Sequence, residues 1–120
     1  PGRFELRLMD GSANPYLLQA GVIAAGLHGL NNKSDPGEPL TCNMYTDYKK
    51  YPNLKKLPNE IKDSLNELDK SKELRESFGE DVINSYLKLK NKEIDEFQRV
   101  ERFDKKAAVT DWEKNNTLDC

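Results

Sequence analysis

The sequence is short of most residue types from which catalytic sets are assembled. Of its 120 residues only Cys42 and Cys120 are cysteines, and His28 is the one histidine. Two cysteines at that separation form neither a disulfide framework nor a zinc spacing, which predicts a reducing, cytoplasmic setting. No Gly-rich phosphate loop, Ser-His-Asp set or Cys-His pair can be read from the chain. Charge of one sign is also lacking. Lysine and arginine number 19 against 21 acidic residues, a net charge of -2, so no nucleic-acid partner is expected. The longest apolar run, LLQAGVIAAGLHGL at 17–30, is shorter than the about 20 residues a membrane span needs, and Gly21, Gly26 and Gly29 interrupt it. No basic segment leads into it as a signal peptide requires, so no membrane partner is expected either. Internal repeats and low-complexity tracts are absent.

Strands are scarce too. Residues 3–8 of RFELRLM alternate polar and apolar, the period of a half-buried strand, and no second convincing strand follows. A lone strand leaves both rows of backbone N–H and C=O groups without partners, and even a hairpin is marginal in water. The expectation is therefore a C-terminal fragment of a larger protein, α+β in class, with one N-terminal strand followed by mostly α-helices.

Helical signals dominate what is present. Asn14 reads as an N-cap and Pro15 as a first helical residue, predicting a helix over about 15–30. Its apolar and small residues run nearly all the way round, which predicts burial on most sides. Gly21 and Gly26 inside it predict close approach by another element. Residues 31–57 hold SDPGEP and no sustained period, the pattern of a long loop. Beyond Pro58, Ile61, Leu65 and Leu68 make one helical stripe, and Ser71 and Gly79 bracket a short helix. A long amphipathic helix over 79–103 carries Val82, Ile83, Tyr86, Leu87, Ile94 and Phe97, and a last piece near 107–114 can pack Val109 and Trp112. Charges of alternating sign along 59–106 read as a solvated face with ion pairs along the helices.

The most specific feature is the polar side of the predicted strand. Arg3, Glu5 and Arg7 recur at every second position, about 6.7 Å apart and pointing one way. Such a row serves many strands as a solvated face with weak ion pairs. The same row also fits a metal and phosphate site, because a carboxylate is a hard oxygen ligand for Mg²⁺ or Mn²⁺ and guanidinium matches phosphate geometry. One carboxylate does not hold a catalytic ion alone. His28, near the helix end, has the setting of a packed or capping residue, and Tyr45, Tyr48 and Tyr51 fit surface packing or a subunit contact.

With FELRLMDGSANPYLLQAGVIAAGLHGL the chain resembles the C-terminal part of the glutamine synthetase catalytic domain: Arg-x-Glu-x-Arg, then Asp, Asn-Pro-Tyr-Leu and a small-residue helix ending in Gly-Leu. SDPGEPLTCNMY, LPNEIKDSLNELDKS and FGEDVINSYLKLKNKEIDEF extend the resemblance across the chain, and VTDWEKNNTLDC is similar to the end of the bacterial type III glutamate-ammonia ligase branch. The resemblance implies that residues 1–45 supply the active-site strand, buried helix and loop, and 46–120 the helical C-terminal region of the same domain. It implies Glu5 as a metal ligand, Arg3 as an ATP contact, and Arg7 as the substrate-binding and catalytic residue. Mg²⁺ or Mn²⁺ as cofactor, ATP as co-substrate, glutamate and ammonia as substrates, and a homo-oligomer of stacked rings follow from it. The fragment alone is expected to be inactive. Tyr45, in Asn-Met-Tyr, falls where some enterobacterial-type members carry an adenylylated tyrosine, while the following TDYKKYPNLKK departs from their pattern. A glutamate-methylamine ligase is similar enough to stay open, as does a non-catalytic module using the helices at 58–113 as an interaction surface.

Overall fold

The computed structural model describes residues 2–100 and 109–117. Among the described residues six α-helices follow one another: α1 Pro15–Asn31, α2 Met44–Asp47, α3 Ile61–Lys70, α4 Lys72–Phe78, α5 Glu80–Val100 and α6 Asp111–Asn116, with a 3₁₀ turn at Tyr48–Lys50 after α2. Local chemistry sets most of their ends. The Asn14 side-chain oxygen accepts from the N–H groups of Tyr16 and Leu17 at 3.0 and 3.1 Å, and Pro15 needs no such partner. Ser71 Oγ accepts from the Leu74 N–H at 3.3 Å to open α4. Gly79, at φ +87°, closes it while its N–H reaches the Arg75 carbonyl at 2.8 Å, a backbone conformation that a side chain would strain. Before α6, Thr110 and Glu113 form a reciprocal capping box, with Glu113 N–H to Thr110 Oγ1 at 3.1 Å and Thr110 N–H to Glu113 Oε2 at 2.7 Å.

Packing centres on the middle helices. α5 receives α3 and α4, and α4 also contacts α1. Leu65 of α3 and Ile83 of α5 are the buried apolar side chains among the described residues, 6% and 5% exposed. Phe97 near the end of α5 meets Trp112 of α6 edge to face, centroids 5.5 Å apart. The radius of gyration, 17.2 Å, exceeds the about 13.6 Å of a compact domain of this length. The helices therefore enclose little interior.

Four expectations change. The N-terminal strand is not seen: residues 2–9 adopt no regular secondary structure, and no strand occurs among the described residues. A strand exists through its ladder, and no second extended segment here offers one. The described structure is thus mostly helical rather than α+β. α1 forms as expected, but none of its residues is buried, and Ile23, Leu27 and Leu30 are exposed. A Cβ built on Gly21 or Gly26 meets nothing within 4 Å, so the close approach predicted for these glycines is not made by the described residues. Val109 is half exposed, while Trp112 of the predicted pair meets Phe97 and stays partly exposed. Cys120 and the predicted end of the long helix at 101–103 lie outside the described residues.

Candidate functional site

The Arg3, Glu5 and Arg7 row keeps its sidedness without the strand. Phe4, Leu6, Leu8 and Met9 line an apolar groove of about 780 Å³ whose other walls come from α1, α3, α4 and α5, and none of the three charged residues lines it. The period-2 pattern thus divides the segment into a groove-facing apolar edge and a polar edge, which is the part of the strand prediction that depends on side chains alone. On the polar edge Arg7 Nε donates to Glu5 Oε1, with 77% of the Arg7 side chain and 57% of Glu5 exposed. The Arg7 terminal nitrogens lead into solvent, and Arg3 is exposed with no ion pair among the described residues.

After the charged row the chain turns into α1 through a tightly bonded connection. Asp10 Oδ1 accepts from the Ser12 N–H at 2.7 Å and from Ser12 Oγ at 2.6 Å, and Ala13 N–H reaches the Asp10 carbonyl at 3.3 Å. The two bonds from Ser12, the hydroxyl first and the N–H second, hold the Asp10 carboxyl below its ordinary range.

These residues do not fit a complete metal site. Among the described residues no three His, Cys, Asp or Glu side chains come together to hold an ion. Glu5 offers a single carboxylate already engaged by Arg7, so it can serve as one oxygen ligand in a shell completed from elsewhere and no more. His28 is also not placed for chemistry. It sits near the end of α1, where the Asn32 side-chain amide lies 3.2 Å from Nδ1 and donates to the His28 carbonyl at 2.9 Å.

Two further clusters were not legible beforehand. The Arg75 side chain, 15% exposed, donates from Nε to the Asp69 carbonyl at 2.9 Å, from Nη2 to the Asp69 carboxylate, and from Nη1 to Glu80 and to Asn84 Oδ1 at 2.9 Å. It joins the end of α3, its own helix α4 and the start of α5. Burial works against its charge, but Glu80 and Asp69 outweigh that and raise its pKa. In the long loop, α2 begins at an Asn43 cap whose side-chain oxygen accepts from the Tyr45 N–H at 3.1 Å. Asn43 was the available signal, masked by the loop composition around it. Tyr45 is 87% exposed, while Cys42 Sγ donates to Met44 Sδ at 3.6 Å and the neighbouring Cys42 thiol raises the Tyr51 pKa.

The family model for the glutamine synthetase catalytic domain matches residues 1–116. A glutamine synthetase from Rhizobium meliloti (strain 1021) is 44% identical over 119 residues, covering 99% of this chain and 26% of the relative. A glutamate-methylamine ligase from Methyloversatilis universalis is 38% identical, with 98% and 25% covered, and a gamma-glutamylethanolamide synthetase from Streptomyces coelicolor 33% identical, with 98% and 22% covered. The chain spans about a quarter of the length of the curated relatives it matches. No solved structure matches.

Proposed function

Because this chain belongs to the glutamine synthetase catalytic-domain family, we propose that it serves an ATP-dependent glutamate-ammonia ligase. In that reaction a side-chain carboxylate oxygen of glutamate attacks the γ-phosphorus of ATP and ADP leaves. Ammonia then attacks the resulting acyl phosphate, loses a proton and expels inorganic phosphate, giving glutamine. The observation that carries this reading is the Arg3, Glu5 and Arg7 row inside the matched region, with its charged ends exposed on the edge away from the apolar groove.

The roles follow from side-chain chemistry. Arg7 spends only Nε on Glu5, so its terminal nitrogens are free to grip carboxylate or phosphoryl oxygens in pairs. We assign it to substrate binding and to charge that develops on the phosphoryl group in flight. Arg3, without an ion pair among the described residues, takes an ATP phosphate. Glu5 is one ligand of a Mg²⁺ or Mn²⁺ ion, and the other donors come from outside the described residues. When bound, such an ion neutralises charge at the phosphate oxygens. Residues 1–45 form the site-bearing part of the domain and 46–120 its helical part, in a cytoplasmic homo-oligomer of stacked rings. The free Cys42 thiol suits that reducing setting. No helix among the described residues is long and apolar enough to cross a membrane.

A small amine in place of ammonia is the second reading, favoured by the similarity to the Methyloversatilis glutamate-methylamine ligase. The test measures ADP release by the full-length protein carrying this chain, with glutamate, ATP and Mg²⁺ or Mn²⁺, against ammonia and methylamine separately. A higher kcat/KM for ammonia supports the first reading and a higher value for methylamine the second. Release with neither amine overturns both.

A further inference from the structure

We infer that Asp10 is a positioning residue for Arg7 and Glu5, acting through the turn that joins their segment to α1. The inference rests on the ligase reading and adds a residue to it. Seven residues, 8–14, separate Arg7 from the first residue of α1, so the bearing of the charged edge relative to the helix is set within that span. Nothing upstream fixes it among the described residues. Residues 2–9 make no ladder, and the apolar edge is loosely seated, with Phe4 80% and Leu8 61% exposed.

The part of the span from Asp10 to Asn14 is pinned, and Leu8 and Met9 join it to Arg7. Asp10 Oδ1 collects the Ser12 N–H and hydroxyl at 2.7 and 2.6 Å, the Asp10 carbonyl takes the Ala13 N–H at 3.3 Å, and the Asn14 side chain takes the first free N–H groups of α1. An ionised carboxylate makes the stronger kind of hydrogen bond, and its lowered pKa agrees with that use. Asp10 also borders the groove, the last residue of the segment to do so before the turn. It therefore couples the seating of the apolar edge to the direction of the polar one. A residue that orients ligands and substrate contacts without touching them influences binding of what they hold, and loss of such support commonly costs about 10-fold or more.

The experiment compares wild type, Asp10→Ala, Asp10→Asn and Ser12→Ala in the full-length protein, reading KM for ATP and for the divalent ion, kcat, and the thermal midpoint. Asparagine keeps the acceptor oxygen that this turn uses, whereas alanine removes it. The expected result is an about 10-fold rise in KM for ATP or for the ion in Asp10→Ala. The thermal midpoint stays near wild type, Asp10→Asn restores binding, and Ser12→Ala, which keeps the backbone bond, falls between. Three results overturn the inference: Asp10→Ala kinetics equal to wild type, a loss confined to the thermal midpoint, or Asp10→Asn as impaired as Asp10→Ala. A wild type inactive with every amine overturns the ligase reading and the inference with it; an active wild type with an indifferent Asp10→Ala overturns the inference alone.

Discussion

The two longer helices among the described residues, α1 and α5, are built on opposite principles. α1 carries no Asp, Glu, Lys or Arg, has apolar residues on all sides, and buries none of them. α5 alternates its charges with one apolar stripe, forms ion pairs such as Lys90–Glu93 at 2.7 Å along its own length, buries Ile83, and packs on α3 and α4. The difference separates two jobs. The α3 to α5 region holds the buried pair Leu65 and Ile83, each helix having one face for its neighbours and one for water, although Leu68, Leu74, Phe78 and Val82 also border the groove. The region before it leaves α1 and the apolar edge of residues 4–9 open along a groove, and sets its charged row beside that apolar surface. The charged row that we assign to chemistry belongs to a stretch, residues 2–31, in which no residue is buried.

If that contrast is right, substitutions in the two regions should fail in different ways. The largest effect is expected from Arg7→Ala in the full-length protein, a loss of about 100-fold or more in kcat with circular dichroism unchanged, since the donor that we assign to developing charge is removed from an exposed position. Arg7→Lys should recover only part of it, because an ammonium lacks the paired donors. Leu65→Ala or Ile83→Ala should instead destabilise by about 2–5 kcal/mol in denaturant unfolding, while Leu30→Ala on α1, 76% exposed, stays within about 0.5 kcal/mol. Equal costs at both places would erase the distinction. Hydrogen exchange on the 120-residue chain sharpens it further, with slower exchange expected for α3 and α5 amides than for those of α1.

Smaller effects are expected at α6. Thr110→Ala removes the capping hydroxyl and should cost about 1 kcal/mol. The backbone N–H and hydroxyl of Thr110 hold the Glu113 carboxyl below its ordinary 4.5. Because the folded value is the lower one, this contribution is present above the ordinary value and fades as pH falls through the folded one. An acid titration of α6 helicity should therefore show a loss below about pH 4.5 that Glu113→Gln abolishes.

How far the sequence could be read depended on how far apart the interacting residues lie. The Asn14 cap, the Ser71 and Gly79 boundaries and the Ile61, Leu65 and Leu68 stripe are local, and each appears where the sequence puts it, although Ile61 stays half exposed at the start of α3. The strand failed because alternation specifies which side each residue faces, whereas a ladder needs a second strand. α2 escaped because four residues after a single Asn43 cap carry too little periodicity to stand out in a Pro- and Gly-bearing loop. The Arg75 clamp joins residues five, six and nine positions apart across helix boundaries, outside any i,i+4 pattern. For the candidate site, spacing alone left a solvated face and a metal and phosphate site both open. The Asn14, Pro15 and Tyr16 motif and its resemblance supplied the chemistry.

We assign Glu5 a role outside the packing of its own chain. The most direct measurement is Mg²⁺- or Mn²⁺-dependent glutamate and amine turnover by the full-length Glu5→Ala protein, taken together with its thermal midpoint. Turnover is expected to be lost and the midpoint to stay unchanged, because the carboxylate is exposed and bonds only Arg7 among the described residues. Turnover equal to wild type would contradict that role.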